Sequence, residues 1–434
     1  MHNRKILIIG EVYVDQHLDI IENGYSTSRL GGIFHAARSC DALNIEYALA
    51  YYAPDYLVKD VEKFGIDVLR ASSIFRLGKV DKAPNVMLIG QSDESGNQLY
   101  ENILGRQAEY VSMLPFMQVL DDFDPTDIII FPGRYGNAGI LSNLSNYEGK
   151  IHIDMNYDCD DILDLDTIKI QTVFLSTSST SFEEFFKEIS YDNLIKYFDK
   201  KNVSQLLIKE NRGGSWLYDF KEKTSYEAPA HIGEIIHSVG VGDVYDIAFM
   251  SEMVGTNIAG NMAFAAWMSS LYAQTIQQEK FKENVELIVQ NIEDFVEMEG
   301  IRVPWNERVN YPIYMAAPDF DYVDTEKLDI LEDSLLYHNF KPRRPIQENG
   351  QVNKEMELLS ECKIMIATLL YNDQGTLVEI GNYQANGKPI ILYDPYLKLD
   401  NMFLKNSCTY YCKTKSQVID AVFTVVSRMV KNGE

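Results

Sequence analysis

Residues 237–250 read "HSVGVGDVYDIAFM", and the fold of the larger part of the chain turns on that stretch. A Gly-x-Gly that opens a helix presents backbone amides at the helix's positive end, a natural anion site. Asp243 falls in the first turn, where it could take a proton from a hydroxyl lying against that site. The same spacing fits an Asp that only caps a helix, and these residues alone leave both readings open.

Outward from this stretch the chain alternates. It begins with a strand, "KILIIG", ending at Gly10 and followed by Glu11 and Asp15. "RLGGIFHAARSCDALN" is a Gly-Gly turn leading into a helical pattern, and "APNVMLIGQSDESGNQLYENIL" reads as a hairpin with a Gly-Asn turn. Short apolar strands follow at 127–131, 150–156, 172–176 and 205–210, most of them separated by helical stretches such as "SFEEFFKEI" and "YDNLIKYF". Strands alternating with helices predict an α/β domain with a largely parallel sheet. Helical "NMAFAAWMSSLYAQTI" and "VELIVQNIEDFVEM" close the region, and 299–312, polar and aperiodic, reads as a linker. The alternation then restarts. Strand "IYMAA" precedes a helix over 325–338, a loop "KPRRPIQENGQ" and a helix near 353–361; strand "KIMIATLL", a loop and helix from 371, strand "PIILYD" and a last helix "SQVIDAVFTVVSRMV" complete it. About 120 residues suffice for one small doubly wound domain. The expected organisation is therefore 1–298, a linker at 299–312, and 313–434.

Bulk properties narrow the function. At 434 residues the chain exceeds one ordinary domain, and its 46% hydrophobic content is that of a folded protein. A formal charge of -25 opposes binding to a nucleic-acid polymer, while small anions can still be held locally by backbone amides. Five cysteines, odd in number and scattered, fit reduced thiols. Cys408 and Cys412 sit four apart with no nearby His or third Cys to complete a metal site, so no metal ligand is assigned. No apolar run approaches the roughly 20 residues of a membrane span, and the N-terminal apolar run is short for a signal peptide. The expectation is a soluble, cytoplasmic protein without a membrane partner.

Residues 371–394, "YNDQGTLVEIGNYQANGKPIILYD", raise the second question. Thr376-Leu-Val-Glu379 fits a capping box, in which the Glu side chain returns to the cap amide. The positive end of a helix dipole also keeps a first-turn carboxylate ionised, as a carboxylate nucleophile requires. Asp373 would share that rim, at the carboxyl end of "KIMIATLL", where open α/β sheets bind ligands.

Residues 313 to about 411 resemble the nucleoside 2-deoxyribosyltransferase family. "IYMAAPDF" is similar to its opening strand and aromatic loop, "DQGTLVEIGNYQANGKPIILY" to its core motif, and "LDNMFLKN" to its downstream segment. The resemblance implies that Glu379 attacks the anomeric carbon of a nucleoside and that Tyr314 orients it. It implies sugar contacts from Asp373 and the aromatic loop at Phe320, and an Asn401 that completes a neighbouring subunit's site in a homo-oligomer. The family's proton-handling Asp falls by spacing at Glu355, a longer carboxylate. No cofactor is implied for this domain. Arg343 and Arg344 are candidates for a 5′-phosphate, since Arg forks suit phosphate.

Residues 4 to 295 resemble the ribokinase-like (PfkB-type) sugar and nucleoside kinases. Asp15, Gly31-Gly32, the hairpin lid, "IDMN", "IKENRGGS" and "GVGDVYDIAF" arrive in the family's order. The resemblance implies Asp15, Gly31 and Gly32 as acceptor ligands, Gly240, Val241 and Gly242 as an anion hole, Asp243 as base, and ATP with Mg2+ as cofactors. This chain departs from the pattern in places. The family's Asn-x-x-Glu is absent, "FLSTSSTSFEE" offering hydroxyls near Thr177 and Thr180; His237 replaces an Asp, and His35 or Ala36 an Asn.

The expected fold class is α/β: a ribokinase-like domain with a small β lid, then a small doubly wound, flavodoxin- or Rossmann-like, parallel-sheet domain. The expected function is nucleoside metabolism, with an N-glycosidic bond cleaved or exchanged through Glu379 and a kinase-like domain acting on a nucleoside or sugar hydroxyl. The rival expectation is a degenerate kinase-like module that senses a nucleotide and regulates a C-terminal nucleoside or nucleoside 5′-monophosphate glycosidase.

Overall fold

The computed structural model describes residues 4–22, 25–90, 99–155, 168–187, 190–318, 323–345 and 352–433. These fall into two compact units, one ending at Gly300 and the other beginning at Ile301.

The larger unit is built on thirteen strands. They are β1 (Lys5–Glu22), β2 (Tyr25–Gly32), β3 (Glu46–Ala53), β4 (Ser73–Asp81), β5 (Val86–Ile89), β6 (Tyr100–Asn102), β7 (Glu109–Ser112), β8 (Asp127–Ile130), β9 (Lys150–Asp154), β10 (Ile170–Ser176), β11 (Val203–Lys209), β12 (Ser215–Asp219) and β13 (Thr224–Ala228). Their order is β13-β12-β11-β10-β9-β8-β1-β3-β4-β7, with β2, β5 and β6 forming a side sheet on β1. From β11 to β4 the pairing is parallel. Ile6, Leu7, Ile8 and Ile9 are wholly buried, as the continuous apolar run "ILII" of a two-side-covered parallel strand requires. Each such side chain stabilises the fold by about 1.5–3 kcal/mol.

β1 is far longer than "KILIIG". Its first half pairs with β3 and β8, and its second half pairs with β2 and β5 in the side sheet. The expected hairpin is present as antiparallel β5 and β6, its tip lying outside the described residues. The helix Val241–Met250 and the helix Ile258–Ala273 pack on the sheet through Val244, Ile247, Met262 and Phe264. The second of these is apolar on nearly all sides, the pattern of a core helix.

The smaller unit carries β14 (Pro312–Ala316), β15 (Lys341–Arg343), β16 (Ile364–Ala367), β17 (Ile390–Tyr393) and β18 (Tyr410–Cys412), all parallel, in the order β15-β14-β16-β17-β18. The helices Glu326–Tyr337, Val352–Glu361, Gln374–Ala385 and Lys415–Asn432 lie where the sequence places them. Two differences have physical causes. The start of the expected loop at 341 is β15, an edge strand of three residues, too short to show a period of two. Much of the stretch read as a linker is folded: Trp305–Asn310 is a 3-10 helix with Trp305 and Arg308 buried. Arg308 donates to the Val303 and His338 carbonyls at 3.2 and 3.1 Å, which satisfies a guanidinium that polar sequence alone assigns to solvent.

Among the described residues no helix is long and apolar enough to cross a membrane, no disulfide is present, and no cluster of three or more His, Cys, Asp or Glu side chains could hold a metal ion.

Candidate active sites

In the larger unit the strand order reverses between β1 and β8, and ligands of open α/β sheets bind at the carboxyl ends of such strands. β1 carries Glu11 and Asp15 past that point. Tyr110 of β7 donates to Glu11 Oε1 at 2.8 Å, and a Cβ at Gly133 would fall 2.5 Å from Glu11 Oε2. Burial raises the Glu11 carboxyl despite hydrogen bonds from Tyr110 and Tyr13. Tyr52 and Tyr135 stack beside it, centroids 4.5 Å apart.

Asp15 is buried, with His35 Nε2 3.0 Å and Arg29 Nε 3.8 Å from its Oδ2. Gly31 lies flat against it: a Cβ there would fall 2.0 Å from Asp15 Oδ1. Gly32, at φ +60°, turns the chain so that the Ile33 amide reaches the Glu11 carbonyl at 3.1 Å. The double glycine thus holds the start of the helix Phe34–Ala42 against β1. Of the two candidates for the family's Asn, His35 faces this site, while Ala36 is buried in the core. His35 Nδ1 meets Tyr272 OH at 2.8 Å, and its ring covers Gly240, whose Cβ, if present, would fall 2.0 Å from it. Burial pulls the His35 imidazole down to about 4, against Asp15.

Gly240, at φ +73°, is the N-cap of the helix Val241–Met250 and gives the helix start its left-handed turn. Arg29 of β2 donates to the Val239 carbonyl at 3.3 Å and faces the His237 ring, Nη2 to Nδ1, at 3.3 Å. His237 Nε2 lies 3.0 Å from the Thr275 carbonyl. Burial, aided by Arg29, pushes the His237 imidazole well below its usual range. Asp243 sits in the first helical turn, 6% exposed.

Beneath that turn lies an ion group the sequence reading missed. Lys209 Nζ donates to Asp246 at 2.8 and 3.0 Å, to Asp154 at 3.2 Å and to the Gly242 carbonyl at 3.3 Å. Burial works against the ammonium, but Asp154 and Asp246 outweigh it and raise its pKa. Burial raises the Asp246 carboxyl well above its usual range, against Lys209. The available signals were a Lys closing the apolar strand "QLLIK" and a second Asp three residues after Asp243 on an otherwise apolar helix. In "FLSTSSTSFEE", Ser179 caps the helix Thr180–Phe185 through the Phe182 amide at 3.1 Å, and the Thr177 amide bonds the Lys209 carbonyl at 3.0 Å.

In the smaller unit the capping-box expectation is corrected. The N-cap of the helix Gln374–Ala385 is Asp373, whose Oδ2 accepts from the Thr376 amide at 2.7 Å and its hydroxyl at 2.9 Å. Thr376 is therefore N3, and Glu379 lies in the second turn, beyond reach of the cap. Its carboxylate accepts instead from the OH of Tyr314, a wholly buried residue of β14, at 2.5 Å. Glu379 itself is half-buried. Asn401 caps the short helix Met402–Ser407 through the Leu404 amide at 3.1 Å. Arg344 is buried on the carboxylates of Asp329 and Glu332, and Arg343 Nη1 stands 3.9 Å from Glu361, so Arg344 is engaged internally rather than offered to a phosphate. Phe320 lies outside the described residues, as does the Glu355 side chain.

No protein-family model matches the chain, and no curated protein sequence does. Solved structures do. A ribokinase from Arabidopsis thaliana, complexed with ribose and ATP, is 14% identical, with a TM-score of 0.50, over 68% of this chain and 99% of that one. A fructokinase with bound ATP from Xylella fastidiosa is 11% identical, with a TM-score of 0.51, over 67% and 99%. A ribokinase from Giardia lamblia is 15% identical, with a TM-score of 0.50, over 66% and 99%. Over that share of its length the chain has the ribokinase-like fold.

Proposed function

We propose that the protein is a two-unit enzyme of nucleoside metabolism. The smaller unit, which we read as a flavodoxin-like nucleoside 2-deoxyribosyltransferase domain, breaks or exchanges an N-glycosidic bond; the larger is a PfkB-type kinase domain for a nucleoside or sugar hydroxyl. The observation that carries the first half is Glu379, released from capping by Asp373 and held by the Tyr314 hydroxyl. A carboxylate nucleophile must be ionised and aimed, and the Tyr314 phenol donating to Oε1 fixes the direction of the carboxylate. Glu379 attacks the anomeric carbon: the C–O ester bond forms as the C–N bond breaks, and the bond's electrons leave on the base nitrogen, which takes a proton. Glu355 is the proposed source of that proton. A second base or water then attacks the same carbon and returns Glu379 as carboxylate. Asp373 and Phe320 face the sugar in this reading, and Asn401 completes the site of a second copy.

For the larger unit, ATP fits the helix start at Gly240, Val241 and Gly242. Gly240 adopts the conformation the turn needs, and a Cβ at Gly242 would press on Lys209 Nζ at 3.2 Å. ATP supplies the phosphoryl group when bound, and magnesium would come with its phosphate oxygens. Asp243 takes the acceptor hydroxyl's proton, and Lys209 ties the Gly242 carbonyl down at 3.3 Å, while the Val241 amide rests on the Ser238 carbonyl at 3.3 Å in this structure and turns to the phosphate on binding. A second reading is favoured by Asp15, whose carboxylate already has His35 Nε2 3.0 Å away: the larger unit senses a nucleotide and regulates the glycosidase.

The test is chromatography of wild-type and Glu379→Ala protein with 2′-deoxynucleosides and their 5′-monophosphates, with and without acceptor base. New nucleoside that needs both acceptor and Glu379 marks a transferase; free base without acceptor marks a hydrolase. Identical traces from the two proteins would defeat the Glu379 reading. Nucleoside-dependent ATP consumption separates the kinase from the sensor.

A further inference from the structure

We propose that the buried cluster around Tyr272 in the larger unit is a binding site for a phosphate or carboxylate group. Five side chains able to carry positive charge meet there: His17 on β1, its ring 6.1 Å from that of His237, Arg29 on β2, His35 and Arg38 on the helix Phe34–Ala42, the Arg38 guanidinium bonding Tyr272, and His237 before the Gly240 turn. Tyr272 joins them. Its hydroxyl lies 2.8 Å from His35 Nδ1, its ring 5.4 Å under the Arg29 guanidinium and 5.1 Å, edge to face, from the His237 ring. Asp15 is the carboxylate in contact, and Asp19 acts on His17 from further along β1.

Two arguments point to an anion. Both guanidiniums stay charged, so Arg29 and Arg38 outweigh Asp15, and an uncompensated buried charge is costly. Arg38 is 3% exposed and the Arg29 side chain 8%. Arg29 Nε and Arg38 Nη1 are also buried with no hydrogen-bond partner among the described residues. Asp15 Oδ2, at 3.8 Å from Arg29 Nε, is too far. Buried donors of this kind are nearly always satisfied in native proteins, and an anion satisfies charge and donors together. Burial first, and Arg29 in the same direction, disfavour the protonated forms of His17, His35 and His237, so the positive charge of the cluster rests on the two guanidiniums.

The site lies between Asp15 and the Gly240 turn. Resting on the kinase reading, the anion is the acid group of the acceptor, which would then be a sugar phosphate, a nucleoside monophosphate or a sugar acid rather than a neutral sugar. The full chain would be titrated with inorganic phosphate, ribose and ribose 5-phosphate, following heat and the histidine ring resonances. Phosphate is expected to move the His35 and His237 resonances, with affinity reduced roughly tenfold or more in Arg29→Met and less in Arg29→Lys. Ribose 5-phosphate binding more tightly than phosphate places the anion on the substrate; equal affinity marks a free-anion site, and either supports the cluster. Unmoved resonances in the wild type, which need no variant to read, overturn it, as does equal phosphate binding by Arg29→Met and Arg38→Met. Phosphate binding without transfer from ATP to any acceptor leaves the site standing and removes the kinase reading. Transfer to neutral ribose, undiminished in Arg29→Met, does the reverse.

Discussion

At the scale of single residues, Glu379 and Tyr314 carry the most specific expectation. Glu379→Gln keeps the shape and the Tyr314 contact but removes the nucleophile, so glycosyl transfer should vanish while the melting temperature holds. Tyr314→Phe removes one aiming hydrogen bond, and turnover should fall roughly ten- to a hundredfold with little change in KM; steady-state kinetics reads both. Glu379 was legible in the sequence as a residue but not as a state. Thr376-x-x-Glu379 and Asp373-x-x-Thr376 are both good capping spacings on overlapping residues. What separates them is the backbone: Asp373 is the non-helical residue, so the helix begins one turn earlier than the Thr-x-x-Glu pattern implies.

At the scale of elements, two devices fix helix starts. Asp373→Ala should cost the smaller unit about 1 kcal/mol through loss of the cap, measured by denaturant unfolding. Lys209 ties β9 and β11 to the helix Val241–Met250 through Asp154 and Asp246. Lys209→Met leaves two buried carboxylates facing each other and should destabilise the larger unit by about 3–5 kcal/mol. Asp246→Asn in the same background should restore part of that. Alternation of strands and helices was readable because apolar runs such as "ILII" and "DIII" mark buried parallel strands directly. The ion group was not, because Asp154, Lys209 and Asp246 lie far apart in sequence and only the sheet order brings them together.

At the scale of the molecule, acid should act unevenly. His17 and His35 are held down to about 4, and burial also lowers His231, to about 4, and His237, further. All four lie in the larger unit. A histidine whose folded pKa is depressed stabilises the fold above its unfolded value near 6.5, and that stability is lost as pH falls towards 4. For the buried His17 and His35 the effect is on the order of 3 kcal/mol each. Calorimetry at pH 7 and pH 5 should show the transition of the larger unit, which holds Trp216 and Trp267, falling further than that of the smaller, which holds Trp305. The histidine cluster was hidden from sequence reading for the same reason as the ion group: Arg29 and His237 are 208 positions apart.

β1 runs without interruption for eighteen residues, from the middle of the main sheet into the side sheet. A cover hung on two flexible tethers swings freely, but one woven into the floor by a shared strand can lift only by flexing that strand. The irregularity between His17 and Ile21, where its register with β2 slips, is where such flexure would concentrate. Whatever settles against Asp15 therefore presses on the floor and the cover at once, so that occupancy of the cleft and stiffness of the whole sheet become one mechanical quantity.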